Sequence, residues 1–352
     1  MAGRLVVAPM NWNAAPRNGT PLEVGEDMYR PKVIVIVPQG GQVPPLAAVE
    51  PEAEVLVVRT AEELRAAQEN AEILFLNDFR STLLREVGPG RLRWIHTSSI
   101  GMDPLLTESI VNSDVVASNS RGVCERPIAE WILGVLLMFT KDLRRTIELQ
   151  HEHRWQHRET EPILGRKVLV AGPGPVGRET VLLLRAAGMD VTVVGRTARQ
   201  DPALGAVAAI ADLDELLPEA DDVVLTLPLT EDTRGLFDAS RLNKMRRGAR
   251  LVNVGRGAVV AADDLLTAVD GGHLDAAALD VFEQEPLSAD SPFWSRHNIL
   301  VSPHASGDLV GWRSRVVDRF VENLRCWKAG EPLRDVVDLR KLGVTAQAST
   351  AH

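Results

Sequence analysis

The chain has 352 residues, 45% of them hydrophobic and 25% charged, which suits a globular protein of roughly two domains, each able to bury its own core. A net charge of −9 argues against a surface built for nucleic acid or for an anionic membrane. The two cysteines, Cys124 and Cys326, suggest no disulfide framework and read as small buried hydrophobes in a reducing compartment. The apolar core near Met1 is too short for a signal peptide, and the longest apolar run, 131–139, falls short of a membrane span. No membrane association is expected, and the expected location is cytoplasmic.

Residues 1 to about 30 are rich in Pro, Asn and Gly and show no regular pattern. Apolar runs at 33–37, 55–58, 73–76 and 92–96 then read as strands, with helices over 61–70 and 81–87 between them. Such alternation implies a parallel sheet with right-handed crossovers. A long helix is expected from Pro127 to about His151, proline being tolerated in its first turn. A second alternating series places strands at 167–171, 191–194, 222–226, 250–254, 276–280 and 299–302, six strands that suit a doubly wound domain. The chain turns helical again over about 308–328, and 342–352 reads as a frayed tail.

Within that second series, Val168-Leu-Val-Ala-Gly-Pro-Gly-Pro-Val-Gly177 is an apolar strand that breaks straight into glycines. Gly172, Gly174 and Gly177 hold the G-x-G-x-x-G spacing, with Pro173, Pro175 and Val176 between them, and the apolar run 180–187 reads as the helix that follows. One glycine permits the tight turn, one lets backbone N–H groups approach a pyrophosphate, and one lets the helix lie close on the sheet. The helix N-terminus then offers free donors and a positive dipole end. A lone match of this kind is often only a glycine loop. The strand before it, the helix after it and the next strand at 191–194 make it a dinucleotide site.

Four further segments follow strands of the same series, where an open α/β sheet places its ligand. They are Leu227-Pro228-Leu-Thr230 with Thr233 nearby, Asn253-Val254-Gly255-Arg256-Gly257, Asp280-Val-Phe-Glu-Gln-Glu285-Pro286, and Ser302-Pro-His304. Leu227, Pro228, Thr233, Val254 and Gly255 are thereby expected along the cofactor. Taken singly, an arginine, a glutamate or a histidine in such a loop is usually a solvated or structural group. Arg256, Glu285 and His304 together, each past a strand end, point to catalysis. His151, His153 and His157 invite a metal reading, but two imidazoles four apart on a helix lack a third ligand, and no metal is expected.

These residues resemble the D-isomer-specific 2-hydroxyacid dehydrogenase family, and the similarity runs from about Trp94 to Trp327. The resemblance implies an α/β protein of two doubly wound parallel-sheet domains. A Rossmann cofactor domain at 125–305 would be inserted into a flavodoxin-like substrate domain at 1–124 and 306–352. It makes His304 the general acid, Glu285 its partner carboxylate, and Arg256 the group that binds the substrate carboxylate and polarises the keto oxygen. It makes Asp280 a nicotinamide contact and Ser99-Ile100-Gly101 the loop whose N–H groups clamp the carboxylate. Trp155 resembles a packing anchor before the cofactor domain, and the helix near 127–150 resembles a two-fold dimer interface. The implied activity is reduction of a small 2-ketoacid, glyoxylate or hydroxypyruvate among them. A formate or phosphite dehydrogenase of the same fold is an alternative, although formate dehydrogenases carry Gln at the position of Glu285; a nucleotide-sensing protein is another, since corepressors share the fold and retain similar residues.

The second strand of the cofactor series ends without the acid that binds the ribose 2′-hydroxyl in NAD-selective enzymes. Gly195-Arg196-Thr197-Ala-Arg199 stands there instead. NADP, as NADPH, is therefore the preferred cofactor expected, through Arg196 and Thr197, with NAD remaining possible. Phe79, Arg80, Met102 and Trp312 are candidates to line the substrate pocket, Arg80 to meet a second acidic group.

Overall fold

The computed structural model describes residues 30–342, so the readings made for 1–29 and 343–352 lie outside the described residues. From Lys32 the chain forms β1 (Lys32–Ile36), β2 (Glu54–Val58), α1 (Ala61–Gln68), β3 (Ile73–Leu76), α2 (Leu83–Val87), β4 (Trp94–Thr97), α3 (Glu108–Val111) and β5 (Val116–Asn119). Two helices, α4 (Glu125–Thr140) and α5 (Leu143–His151), lead away from it. Next come β6 (Lys167–Ala171), α6 (Pro175–Ala186), β7 (Asp190–Gly195), β8 (Arg199–Asp201), β9 (Gly205–Ala209), α7 (Leu213–Leu216) and β10 (Asp222–Leu225). They are followed by α8 (Ala239–Lys244), β11 (Arg250–Asn253), α9 (Ala262–Asp270), β12 (Ala276–Leu279) and β13 (Ile299–Val301). The chain ends its described course with α10 (Trp312–Ala329) and β14 (Val336–Val337).

Two sheets result, and the chain is an α/β protein of two doubly wound halves. The first has the order β14-β5-β4-β3-β1-β2 and is parallel except for β14, which runs antiparallel to β5. Alternate side chains of β1 face opposite cores, Ile34 and Ile36 one way and Val33 and Val35 the other, as the period-2 geometry of a strand requires. The second core is closed by the returning helix α10, whose Phe320 stacks on Phe75 at 4.8 Å and on Trp94 at 5.2 Å between ring centroids. The C-terminal segment thus completes the N-terminal sheet.

The second sheet has the order β13-β12-β11-β10-β6-β7-β9-β8 and is parallel except for β8. Its order reverses between β6 and β10, the point at which a doubly wound sheet opens a crevice. Sequence alone gave six strands here; β8 and β9 are additional. Gly205-Ala-Val-Ala-Ala209 carries too little apolar bulk to stand out, and β8 is a polar edge strand, Arg199-Gln-Asp201. In the first sheet β5 was also not foreseen, because Ser118 and Asn119 make its end polar although both are buried.

The expected helix from 127 to 151 is two helices. Asp142 adopts φ +47°, a left-handed conformation that ends α4. The break is held from outside: Arg158 donates to Asp142 Oδ2 at 2.7 Å and to its carbonyl at 2.6 Å, and Lys141 Nζ donates to the Glu161 carbonyl at 2.6 Å. Trp155, expected to anchor packing, is 94% exposed, on a stretch after α5 that forms no helix. The helical spacing considered for His153 and His157 is therefore absent, and among the described residues no cluster of three His, Cys, Asp or Glu side chains could hold a metal. Among them, too, no helix is long and apolar enough to cross a membrane.

Candidate active site

The glycine loop after β6 is shaped by close approach. Gly172 has φ +111°, and a Cβ there would come within 2.7 Å of Thr226 Oγ1. A Cβ at Gly177 would overlap the carbonyl oxygen of Gly172. Gly174, the N-cap of α6, is exposed and has nothing within 4 Å of its Cβ position. Two of the glycines thus close the turn and the third leaves open space at an uncapped helix N-terminus, with Pro175 at its first position. That combination fits a dinucleotide pyrophosphate.

Beyond β7, Arg196 and Thr197 are exposed. The Arg199 guanidinium lies over Gly195, where a Cβ would stand 2.9 Å from Nη1. The nearby acid, Asp201, is taken up in an ion pair with Arg178 at 2.6 Å. Arg178, with the backbone N–H of Ala203, brings its carboxyl down to about 2. The end of β7 is therefore basic. Thr233 serves its own loop, accepting from Thr230 N at 2.7 Å and donating to the Pro228 carbonyl at 2.7 Å. Leu227 and Val254 are buried in the sheet's two cores.

Arg256 owes its position to the glycines beside it. A Cβ at Gly255 would lie 2.6 Å from the Leu227 carbonyl oxygen, and one at Gly257 would overlap the backbone of Phe282. The loops after β10, β11 and β12 are therefore in backbone contact, with Arg256 held between them. Asn253 shapes this loop, donating to the Arg256 carbonyl at 3.1 Å and accepting from Gly255 N at 3.0 Å. The guanidinium reaches across to the first domain and pairs with Asp103 through Nε–Oδ1 at 3.0 Å and Nη2–Oδ2 at 2.6 Å. Burial works against its charge, but Asp103 and then Glu285 outweigh it and raise its pKa.

The loop after β4 lies against that guanidinium: a Cβ at Gly101 would overlap Arg256 Nη2. Its carbonyls are all taken, Ser99 by Thr97 Oγ1 at 2.8 Å, Ile100 by Asn119 Nδ2 at 2.9 Å and Gly101 by Ser99 Oγ at 2.8 Å. Among the described residues, the N–H groups of Ser99, Ile100 and Gly101 have no partner. A loop with satisfied carbonyls and unpaired donors beside a guanidinium is suited to a carboxylate.

His304 Nδ1 is 2.9 Å from Glu285 Oε2, and Glu285 Oε1 accepts from Phe282 N at 3.0 Å. Burial pushes the Glu285 carboxyl up, but the bond to His304 and its charge, with help from Phe282 N and Arg80, outweigh it and leave it below the usual carboxylate value. The histidine sits at φ +58°, a left-handed conformation rare for a side-chain-bearing residue. Asp280 holds it there, its 1% exposed carboxylate accepting from Ser302 Oγ at 2.6 Å, Ala305 N at 2.9 Å and Ser306 N at 3.1 Å. The resemblance gave Asp280 to the nicotinamide; in the structure its hydrogen bonds all go to the His304 loop. From the first domain, Phe79 places its ring 4.7 Å from the His304 imidazole, and Arg80 stacks over Phe79 at 4.9 Å. Met102 and Trp312, the other pocket candidates, pack into the cores of the first sheet instead.

Residues 133–306 match the family model for the D-isomer specific 2-hydroxyacid dehydrogenase, NAD binding domain. A glyoxylate reductase from Aeropyrum pernix is 30% identical over 270 residues, covering 72% of this chain and 80% of the relative. A D-isomer specific 2-hydroxyacid dehydrogenase family protein from Aeromonas salmonicida superposes with a TM-score of 0.74 at 30% identity, over 88% of this chain and 99% of that one. An NADPH-dependent glyoxylate/hydroxypyruvate reductase from Sinorhizobium meliloti, solved with NADP and sulfate, has a TM-score of 0.72 at 27% identity, over 88% and 99%. The chain belongs to the D-isomer specific 2-hydroxyacid dehydrogenase family. It is an NAD(P)-dependent oxidoreductase that acts on CH–OH groups.

Proposed function

We propose that the protein is an NADPH-preferring 2-ketoacid reductase for a small substrate such as glyoxylate or hydroxypyruvate. Residues 1–124 and 306–352 would form the substrate domain and 125–305 the cofactor domain. The observation that carries the reading is the contact of Arg256 with the loop 99–101, which joins a fixed guanidinium to three unpaired N–H groups in the cleft between the halves. The substrate carboxylate lies on these donors, and Arg256 also polarises the keto oxygen. His304 is the general acid: with Nδ1 engaged by Glu285, Nε2 donates the proton to the carbonyl oxygen. Glu285 orients the ring for that donation through its contact with Nδ1. The reduced nicotinamide, when bound, supplies the hydride to substrate C2. Gly172, Gly174, Pro175, Val176 and Gly177 bind its pyrophosphate, and the basic end of β7 takes the 2′-phosphate. The ring contact from Phe79 narrows the space beside His304, which favours a small ketoacid.

A homodimer is part of this reading. Leu143 and Ile147, one turn apart on α5, and Trp155 beyond it are 43%, 55% and 94% exposed, an apolar surface that a second copy would cover. Sedimentation of the parent and of Trp155→Ser tests it, with dissociation expected in the variant. The activity itself is tested by measuring turnover of glyoxylate, hydroxypyruvate, formate and phosphite with both cofactors. Reduction of the ketoacids with NADPH is expected, and oxidation of formate or phosphite alone would overturn the reading.

A further inference from the structure

We propose that Asp103 is a positioning residue of the reaction, fixing the Arg256 guanidinium from across the cleft so that one N–H on each terminal nitrogen is left for the substrate. The inference rests on the role given to Arg256 above. A guanidinium has five N–H donors in a planar fork. Three are used here: Nε on Asp103 Oδ1 at 3.0 Å, Nη2 on Asp103 Oδ2 at 2.6 Å, and Nη1 on the Gly255 carbonyl at 2.6 Å. The two that remain sit one on Nη1 and one on Nη2, and Nη2 is the atom in contact with Gly101. The free donors of the fork therefore adjoin the unpaired N–H groups of the 99–101 loop.

Asp103 also decides which acid the arginine serves. Glu285 attracts the same guanidinium, yet Glu285 is needed by His304. By occupying Nε and Nη2, Asp103 keeps Arg256 off Glu285. Asp103 is suited to the task, because Arg256 outweighs the effect of burial and keeps its carboxyl below the usual value, hence ionised. Asp103 follows β4 and Arg256 follows β11, so the contact joins the two halves. The fork is thus oriented from the opposite half of the molecule.

The test uses Asp103→Ala and Asp103→Asn, each alone and in an Arg256→Lys background. Four quantities are measured: kcat and KM for glyoxylate with NADPH, the Kd of NADPH, the Kd of oxamate as an unreactive ketoacid mimic, and the thermal midpoint. Asp103→Ala is expected to lower kcat/KM on the order of 10²-fold and to weaken oxamate, while the NADPH Kd stays within about 2-fold of the parent. Asp103→Asn, which retains one acceptor and the side-chain shape, falls between the two at a parental thermal midpoint. In the Arg256→Lys background, either substitution adds less than about 3-fold, because the group it positions is gone. Full multiplication of the two losses, a parallel loss of NADPH binding, or near-parental kinetics for both Asp103 variants overturns the inference. Near-parental kinetics for Arg256→Lys alone would instead remove the reading of the site on which it rests.

Discussion

His304 and Glu285 come from loops 19 residues apart and meet through Nδ1 and Oε2 at 2.9 Å. The carboxylate is held below its usual pKa, because the bond and charge of His304 outweigh the burial that would raise it. A group whose pKa is depressed in this way loses its pairing only as the pH falls through that lowered value. The acid limb set by Glu285 is therefore expected below the ordinary glutamate value of about 4.3. Glu285→Gln removes the charged partner that orients the ring, so kcat/KM should fall on the order of 10²-fold and the acid limb set by Glu285 should disappear. The profile of kcat/KM against pH checks this, and an acid limb that stays in place in the variant would dissociate the two residues.

Arg256→Lys keeps the charge and loses the planar fork. A lysine ammonium cannot hold Asp103 by two bonds and still present two aligned donors to a ligand. The expected loss in kcat/KM is on the order of 10²-fold, equivalent to ~3 kcal/mol of transition-state positioning. Steady-state kinetics with glyoxylate reads it.

The glycine loop gives a paired prediction that separates folding from binding. Gly177→Ala places a methyl on the Gly172 carbonyl, so it should disrupt the turn and lower the thermal midpoint. Gly174→Ala meets nothing within 4 Å, so the protein should fold with only the small loss of an N-cap alanine, about 1 kcal/mol or less. Its methyl would stand in the open space over the helix N-terminus, and NADPH should bind at least about 10-fold more weakly. Parental NADPH affinity in Gly174→Ala would place the pyrophosphate elsewhere.

Much of the fold is legible because buried parallel strands are apolar runs, and β1, β3, β6, β10 and β12 all are. What escaped is polar or small for identifiable reasons. Ser118 in β5 is buried because Trp94 Nε1 and His96 Nδ1 each lie 2.8 Å from its hydroxyl, a partnership that no local pattern announces. The break at Asp142 depends on Arg158, sixteen residues on. At the site, Arg256, Glu285 and His304 stand out because each follows a strand of one sheet. Asp103 does not: its partner is 153 residues away in the other domain, and as a sequence it is an acid in a turn. Asn253 was visible in the segment after β11, but its role in closing the Arg256 loop needed the two hydrogen bonds.

Cofactor choice is the property most particular to this chain. Sequence placed Arg196 first for the 2′-phosphate, whereas the structure lays Arg199 over Gly195 and leaves Arg196 exposed beside it. With both side chains exposed, each contributes one charge-assisted bond to a phosphate, roughly 1.5–3 kcal/mol. Arg196→Ala and Arg199→Ala should each weaken NADPH by about 10- to 100-fold and leave NADH nearly unchanged, the double variant losing most of the preference. Added salt should narrow the parental preference, since both charges are exposed. Gly195→Asp should turn selectivity toward NADH by repelling the phosphate, but its Cβ would stand 3.0 Å from both Pro173 and Val207, so some loss of stability accompanies it. Titration of NADPH and NADH into the parent and these variants gives the answer directly. Tighter NADH binding by the parent would reverse the assignment.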